Sequence, residues 1–282
     1  LRISNEEVKN AKRSLLKSEI ESLKRALHRI EEFHSKRVPS SWFNGKDENL
    51  LGQIVMPVER VGIYVPGGKA AYPSTVLMSA VPARVAGVKE IIMATPPGRD
   101  GRISPYVLAA ADLCGIKDAF RMGGSHAISA MAFGTESVPR VEKIVGPGNI
   151  FVATAKKLLY STVGVDLIAG PSEILVLSDG SADPSFVSAD LLSQAEHDEQ
   201  AICILVTNSA PYANRVMVNI SSQLIGLKRR EIASVSLMNN GAIIITRTMK
   251  EAIDIVNSFA PEHLELAVKN PRSILPRIRN AG

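Results

Sequence analysis

The sequence predicts an α/β protein with two parallel-sheet, Rossmann-like units and a long N-terminal helix. Short apolar runs rich in β-branched residues alternate with longer segments of helical periodicity, and this alternation occurs both before and after Gly170. Strand–helix alternation favours parallel strands joined by crossover helices. The chain has 282 residues, of which 45% are hydrophobic and 22% charged. It therefore has room for two ordinary cores, and its composition does not indicate disorder.

The N-terminal segment predicts one long amphipathic helix. Ser4 and Glu7 have the spacing of a capping box. A seam with alternating spacings of four and three follows at Leu16, Ile20, Leu23, Leu27 and Ile30. A seam of this kind packs on the body of the protein or on a partner subunit. The polar stretch 39–48 predicts a linker.

The expected elements of the first unit follow in order along the chain. Residues 53–66 predict two strands with a turn near 57–60. Further strands are expected at 90–94, 119–122 and 143–145. Helices are expected at 74–88 with a kink or break at Pro82, and at 104–114, 125–133 and 149–162.

The second unit repeats the alternation without a close sequence repeat. Residues 167–177 are strand-like on either side of a Gly-Pro-Ser-Glu turn. Strands are also expected at 201–206, 241–245 and 264–267. Helices are expected at 184–197, 211–227 and 250–259, with a short one from Pro271.

Charge and cysteine content exclude some functions. The net charge is +5, but no run of Lys and Arg of the nucleic-acid-binding type is present, so we expect no nucleic-acid partner. Cys114 and Cys203 lie in apolar surroundings without a basic neighbour, which argues against a cysteine nucleophile. No signal peptide or membrane-length apolar stretch is visible, which favours a cytoplasmic protein without a membrane partner.

Gln194 and His197 are the most distinctive polar pair. They stand three residues apart at the end of an apolar helical run, so their side chains share one face. An amide oxygen and an imidazole nitrogen are both donors that zinc accepts. The alternative is a polar helix end that faces solvent.

Several longer motifs accompany this pair in a fixed order. They are Gly62-Ile-Tyr-Val-Pro-Gly-Gly68, Phe133-Gly-Thr-Glu-Ser-Val-Pro139, Gly146-Pro-Gly-Asn149, Ala169-Gly-Pro-Ser-Glu173 and Ala260-Pro-Glu-His-Leu264. Together they closely resemble the histidinol dehydrogenase family, from about residue 53 to the end of the chain. The resemblance implies a homodimeric, zinc- and NAD-dependent oxidoreductase of histidine biosynthesis. It would convert L-histidinol to L-histidine through a bound aldehyde.

The resemblance also implies roles for single residues. Gln194 and His197 would bind zinc and contact substrate, His263 would be the catalytic base and a substrate contact, and Glu262 would activate water. Ser172 would hydrogen-bond the substrate. The alternatives are a surface Glu–His pair and a serine that caps a turn.

The sequence indicates a cofactor site only weakly, because the segment 146–149 has two glycines and lacks the three-glycine dinucleotide fingerprint. A helix N-terminus can still bind phosphate. The resemblance implies that Tyr64 and Asn149 contact NAD. It also implies a contact at His126, where the family commonly has Gln.

The implied organisation has three parts. Residues 1–48 form the N-terminal helix and linker, residues 49–168 form the unit on the NAD side, and residues 169–282 form the unit on the zinc and substrate side. We expect the last unit to pack with the N-terminal region. The resemblance places two more zinc ligands, an Asp and a His, in a C-terminal domain beyond Gly282, so we expect a chain that ends there to fold without turning over. The alternatives are a relative that oxidises another polyol, such as sulfopropanediol, and a folded but inactive fragment.

Overall fold

The computed structural model describes residues 1–46, 49–67, 71–168 and 170–282. The chain divides into two compact units, Leu1–Ala169 and Gly170–Gly282. Two residues of the sequence motifs, Gly68 and Ala169, lie outside the described residues. Each unit has a sheet of parallel strands flanked by helices, so the predicted α/β class is confirmed.

The N-terminal segment forms two helices, and the prediction of one long helix is wrong. The helices are α1 (Asn5–Arg13) and α2 (Lys17–Ser35). Ser4 caps α1 by accepting a hydrogen bond from the backbone N–H of Glu7 at 3.1 Å. The break follows because Leu16 has an extended backbone, and its N–H donates to the carboxylate of Glu19 at 2.8 Å. Two local caps therefore override the continuous apolar seam.

A hairpin replaces part of the predicted linker. Its strands are β1 (Trp42–Lys46) and β2 (Asn49–Gln53), paired antiparallel. The linker prediction is therefore wrong over residues 42–46, while 47 and 48 lie outside the described residues. The indole N–H of Trp42 donates to the side-chain oxygen of Gln53 at 3.1 Å. The polar residues of this stretch concealed its strands because both faces of the hairpin are open to solvent.

Most of the remaining elements of the first unit lie close to their predicted positions, but residues 54–58 are not a strand, the short strand at 164–165 was not predicted, and the helix over Pro73–Val85 continues through Pro82. The strands are β3 (Arg60–Tyr64), β4 (Glu90–Thr95), β5 (Asp118–Arg121), β6 (Lys143–Val145) and β7 (Gly164–Val165). The helices are α3 (Pro73–Val85), α4 (Pro105–Leu113), α5 (Gly124–Phe133) and α6 (Ile150–Leu158). All five strands are parallel, in the spatial order β5-β4-β3-β6-β7.

Alternation along the central strand β3 creates two apolar layers. Val61 and Ile63 join the core with α3 and α4, whereas Tyr64 joins the core with α5 and α6. The N-terminal helices also pack on α3 and α4, with Leu23 and Leu27 against the first layer. The N-terminal helices thus pack on helices of their own unit. The expected packing of the second unit with the N-terminal region stays a prediction.

The second unit has a four-stranded parallel sheet. Its strands are β8 (Glu173–Ser178), β9 (Ile202–Thr207), β10 (Gly241–Ile245) and β11 (His263–Ala267), in the order β10-β9-β8-β11. Its helices are α7 (Pro184–Ala195), α8 (Ala210–Leu224), α9 (Arg230–Asn240), α10 (Met249–Phe259) and α11 (Pro271–Ile274). The helix α9 was not predicted, and residues 167–168 are not a strand. Helices α7, α8 and α9 cover one face of the sheet, and α10 and α11 cover the other.

Both cysteines are buried, as their sequence surroundings predict. Cys114 follows α4 and Cys203 lies within β9, and each is 2% exposed. Burial raises the pKa of both thiols to about 11. Within the described ranges, no helix combines the length and the apolar character needed to cross a membrane.

We expect both thiols to react slowly with a disulfide reagent at pH 8. A pKa raised from 9.0 to about 11 lowers the thiolate fraction by about 100-fold relative to the unfolded chain. Stability should fall as the pH rises from 9 through 11, because the unfolded thiols ionise first. Reagent absorbance in native buffer and in urea measures the first effect, and urea midpoints of the wild type and a Cys→Ala double variant measure the second. Equal labelling rates in buffer and in urea would contradict the burial.

Candidate functional site

The first candidate half-site lies at the carboxyl edge of the first sheet. The chain runs outward from β3 through β4 to β5 and then returns to β6 on the other side of β3. This reversal is a topological switch point, where open α/β sheets bind their ligands. Tyr64 ends β3 and Gly146 follows β6, so the two predicted cofactor motifs flank the switch point.

The two motifs touch through their backbones. Gly146 has φ +111°, and a Cβ built on it would overlap the carbonyl oxygen of Tyr64. Tyr64 is buried, and its hydroxyl accepts a hydrogen bond from the N–H of Gly124 at 3.1 Å. Gly124 opens α5, which carries the exposed His126 in its first turn. Tyr64 therefore links the end of β3 to the helix that bears the third predicted cofactor residue.

Asn149 caps the next helix. Its side-chain oxygen accepts from the N–H of Val152 at 3.2 Å. The cap leaves the side-chain NH₂ of Asn149, which is exposed, free to donate to a ligand. The sequence analysis treated Asn149 as a cofactor contact alone, so its capping role is additional.

A cavity of about 420 Å³ opens at the same sheet edge. It lies between the segments that follow β3 and β4, and its lining includes Gly67, Thr95, Pro96, Arg102 and Ser104. Of these residues only Gly67 belongs to a motif quoted above, and none was expected to line a site. They could have been found from topology alone, because loops after adjacent parallel strands share one edge.

The second candidate half-site lies at the amino edge of the second sheet. Ser172 immediately precedes β8, and Glu262 immediately precedes β11. The strands β8 and β11 are parallel neighbours, with His263 level with Ile174. The structure thus brings Ser172, Glu262 and His263 together, although some ninety residues of chain separate the first from the others.

Reciprocal hydrogen bonds fix the entry to these two strands. The N–H of Glu173 donates to the carboxylate of Glu262 at 3.3 Å, and the N–H of Glu262 donates to the carboxylate of Glu173 at 3.4 Å. The other oxygen of Glu262 lies 3.8 Å from Nε2 of His263. Both side chains remain open to solvent, with exposed fractions of 51% and 59%. The base and the water activator predicted from the sequence are therefore adjacent and accessible.

The turn before Glu262 has an unusual backbone. Ala260 has φ 53° and ψ 58°, the left-handed conformation that ends α10. It is the only non-glycine residue with positive φ in the part of the chain that the structure describes. Proline follows it and disfavours the right-handed helical region for the preceding residue, so the Ala-Pro pair forces the chain out of α10 towards β11.

Gln194 and His197 differ in exposure. Gln194 lies in the last turn of α7 and is 8% exposed, whereas His197 is exposed and lies beyond the helix end. The N–H of His197 still donates to the carbonyl of Gln194 at 3.1 Å, so a helical turn continues between them. The two residues therefore share one helix end, with Gln194 packed against its unit and His197 open to solvent.

The helix that sequence reasoning missed holds the segment after Gln194. Three side chains of α9 and its entry donate to three backbone carbonyls: Arg229 to His197 at 3.3 Å, Asn240 to Glu199 at 3.2 Å and Ser236 to Ala201 at 2.9 Å. These donors recur at helical spacing, so they share one face of α9. The helix therefore fixes the backbone that carries His197.

A half-buried carboxyl pair lies further along the same face of the sheet. Glu265 lies two residues after His263 on β11 and neighbours Asp190 of α7. Desolvation, followed by the neighbouring Asp190, raises the pKa of Glu265. No sequence pattern indicated this pair, because a single acidic residue in a strand resembles any exposed edge position.

The residues present supply only part of a metal centre. Within the described residues, no group of three or more His, Cys, Asp or Glu side chains could hold a metal ion. Zinc sites in proteins use three or four protein ligands. Gln194 and His197 match the donor chemistry of zinc, but this chain's described residues do not complete its coordination.

Comparisons with known proteins give a consistent picture. The sequence model of the histidinol dehydrogenase family matches residues 1–282. A histidinol dehydrogenase from Geobacter sulfurreducens is 54% identical over 284 residues, which cover 100% of this chain and 66% of that protein. The crystal structure of histidinol dehydrogenase from Elizabethkingia anophelis superposes with a TM-score of 0.95 at 39% identity, and covers 100% of this chain and 65% of that one. This chain spans about two thirds of the length of these relatives.

A more distant likeness concerns the fold alone. The crystal structure of an NAD-dependent aldehyde dehydrogenase from Sinorhizobium meliloti has a TM-score of 0.58 at 16% identity, covering 90% of this chain and 64% of that one. The two-unit α/β architecture is thus shared beyond the family.

The approach of Gly146 to Tyr64 predicts an intolerance to side chains. We expect Gly146→Ala to cost more than the roughly 1–3 kcal/mol of a strained backbone, because the new Cβ would also overlap the Tyr64 carbonyl. Gly101→Ala is the matched control, since Gly101 has φ +76° with nothing within 4 Å. Urea unfolding followed by circular dichroism gives both costs. Equal costs would show that the close approach carries no energy.

The hydrogen bond from Ser236 predicts a local effect on the His197 segment. Ser236→Ala should lower the free energy of unfolding by about 1–3 kcal/mol, because it leaves the Ala201 carbonyl without its donor. It should also speed hydrogen exchange across residues 197–201. The control Ser221→Ala, on an exposed face of α8, should stay within about 0.5 kcal/mol. Unchanged exchange in the Ser236 variant would argue against this role for α9.

Proposed function

The chain belongs to the histidinol dehydrogenase family, and on that premise we propose that it oxidises L-histidinol to L-histidine. The proposed reaction is the closing part of histidine biosynthesis, with two NAD molecules consumed and an aldehyde held between the two oxidations. A homodimeric assembly and a cytoplasmic location belong to the same proposal.

The pairing of β8 with β11 is the observation that carries the proposal. It sets a hydroxyl, a carboxylate and an imidazole at one sheet edge, on Ser172, Glu262 and His263. Oxidation of an alcohol to an acid needs a base for the hydroxyl proton and a group that activates water. A carboxylate and an imidazole within 3.8 Å of each other suit these two tasks.

In the first oxidation, we assign His263 as the base. Its imidazole takes the hydroxyl proton while the carbon gives up a hydride, so the alcohol becomes an aldehyde. Imidazole suits this task because its usual pKa lies near neutral pH. The exposed position of His263 gives an alcohol access to the ring nitrogen. Ser172, at the start of the neighbouring strand, would hydrogen-bond the substrate.

In the second oxidation, we assign Glu262 as the group that activates water. Its carboxylate takes a proton from the water that adds to the aldehyde carbon, and the resulting hydrate loses a second hydride to become the acid. The N–H of Glu173 holds one oxygen of Glu262. The other oxygen faces His263 and the site.

NAD, when bound, accepts the hydride in each oxidation. The elements at the switch point of the first sheet suit such a cofactor, because Tyr64 ends β3, His126 lies in the first turn of α5 and Asn149 caps the N-terminus of α6. We assign these three residues to cofactor binding. His126 would offer an imidazole donor in place of an amide.

Zinc, when bound, would hold the substrate through its nitrogen atoms. We assign Gln194 and His197 as two of its ligands. The helical turn that continues from Gln194 to His197 supports this assignment, because it keeps the two side chains on one face. A zinc ion held in this way would need further ligands besides these two, because zinc sites use three or four protein ligands.

We expect opposite defects from two substitutions in the full-length protein. His263→Asn removes the base and should slow alcohol oxidation by about 100- to 10,000-fold. Glu262→Gln removes the water activator and should slow aldehyde oxidation more than alcohol oxidation. Histidinol-dependent and histidinal-dependent NADH formation separate the two half-reactions.

The control is Glu265→Gln, a carboxylate two residues along the same strand that faces α7. It should affect both half-reactions alike. The role assignment fails if both site variants retain wild-type rates. The substrate assignment fails if the wild type oxidises another polyol, such as sulfopropanediol, in preference to histidinol.

A further inference from the structure

A buried lysine stands behind the candidate cofactor segment. Lys156 lies in α6 and is 3% exposed. A lysine ammonium is rarely buried without partners, because its desolvation must be offset by charge pairing and hydrogen bonds. None of the roles assigned above uses this residue.

The sheet topology brings the partners of Lys156 to one point. The strands β6 and β7 are parallel neighbours, with Ile144 level with Val165. Gly146 follows the end of β6 and Asp166 follows the end of β7, so both lie at the carboxyl edge. The side chain of Lys156 reaches them because helix side chains lean towards the helix N-terminus.

Three contacts join these residues into a closed unit. The ammonium of Lys156 donates to the carbonyl oxygen of Gly146 and pairs with one carboxylate oxygen of Asp166 at 2.6 Å. The other oxygen of Asp166 accepts from the N–H of Gly146 at 2.7 Å. Both backbone polar groups of Gly146 are therefore held by one ion pair.

Gly146 needs such support. It is the first residue of the segment 146–149, which contains two glycines, and glycine has the largest conformational freedom of any residue. Its φ of +111° places the chain beside the Tyr64 carbonyl. From there the segment leads to Asn149, which caps α6 and carries the free amide donor.

We propose that Lys156 and Asp166 are positioning residues that hold the segment 146–149 in the conformation that binds NAD. The inference rests on the proposed function. Neither residue need touch the cofactor. They act through Gly146. The segment 146–149 is then already ordered before NAD binds, so binding loses less conformational entropy.

The test compares the affinities of the two ligands in the full-length protein. Lys156→Met removes the ammonium and keeps an apolar side chain of similar length. We expect the dissociation constant for NAD to rise by roughly 10- to 100-fold, the penalty for displacing a binding group by about 1 Å. The dissociation constant for histidinol should change less than about twofold, since its assigned residues lie in the other unit. Isothermal titration calorimetry measures both.

Three further variants make the result specific. Lys157→Met makes the same change at the next residue, which is exposed, and should leave both affinities unchanged. Lys156→Arg keeps the charge and the donors, so we expect it to recover most of the NAD affinity. Asp166→Asn keeps an acceptor for the Gly146 N–H with little change of shape. It provides a second measurement if the methionine variant fails to fold.

The outcomes separate the inference from the function it rests on. Wild-type NAD affinity in a folded Lys156→Met or Asp166→Asn variant would overturn the inference alone. Equal weakening for NAD and histidinol would also overturn it, because that would show a general structural role. A wild-type protein that bound histidinol but no NAD would overturn the proposed function and the inference with it.

Discussion

The parallel pairing of β8 with β11 is the interaction on which the candidate chemistry depends. Among the strands that the structure describes, β11 pairs with β8 alone and lies at the edge of the sheet. Two reciprocal hydrogen bonds between Glu173 and Glu262 join the start of β11 to the start of β8, just before the first paired residue, His263. The same carboxylate that we assign to water activation is therefore also a structural clamp. The N–H of Glu173 restrains one oxygen of this half-exposed carboxylate, which favours one orientation for proton transfer.

The two units present their candidate sites at opposite ends of their strands. In the first unit the cofactor residues follow β3 and β6, at the carboxyl edge that open parallel sheets commonly use. In the second unit Ser172 and Glu262 precede β8 and β11, at the amino edge. The helix α7 runs back to that edge and delivers Gln194 in its last turn. The backbone at the two edges is stabilised differently. In the first unit a glycine allows two backbone segments to approach closely, and in the second unit side chains donate hydrogen bonds to backbone carbonyls.

Sequence reasoning identified the family and most strands and helices, because periodicity and turn residues are local signals. It placed β6 and β10 with their observed bounds and most other elements within a few residues. It failed where a decision depended on capping or on tertiary contacts. The helix break at Leu16 rests on one carboxylate, Glu19, and an apolar seam cannot reveal it. The helix α9 begins with polar residues. Part of its surface packs in the core and part donates hydrogen bonds to backbone carbonyls, so its apolar residues show only a weak helical repeat.

Within the candidate sites, the sequence could supply residue types but not partners. The burial of Gln194 and the ion pair of Lys156 with Asp166 depend on which elements pack beside each other. The hairpin is a different case. Its apolar residues are evident in the sequence, but they do not alternate with polar ones as in a half-buried strand, so no strand was predicted over 42–46. It holds Trp42, which is the only tryptophan of the chain and is 49% exposed. Tryptophan emission from this chain would consequently resemble that of a hydrated indole even when both cores are intact, so an optical signal for folding has to come from the backbone or from the buried ring of Tyr212.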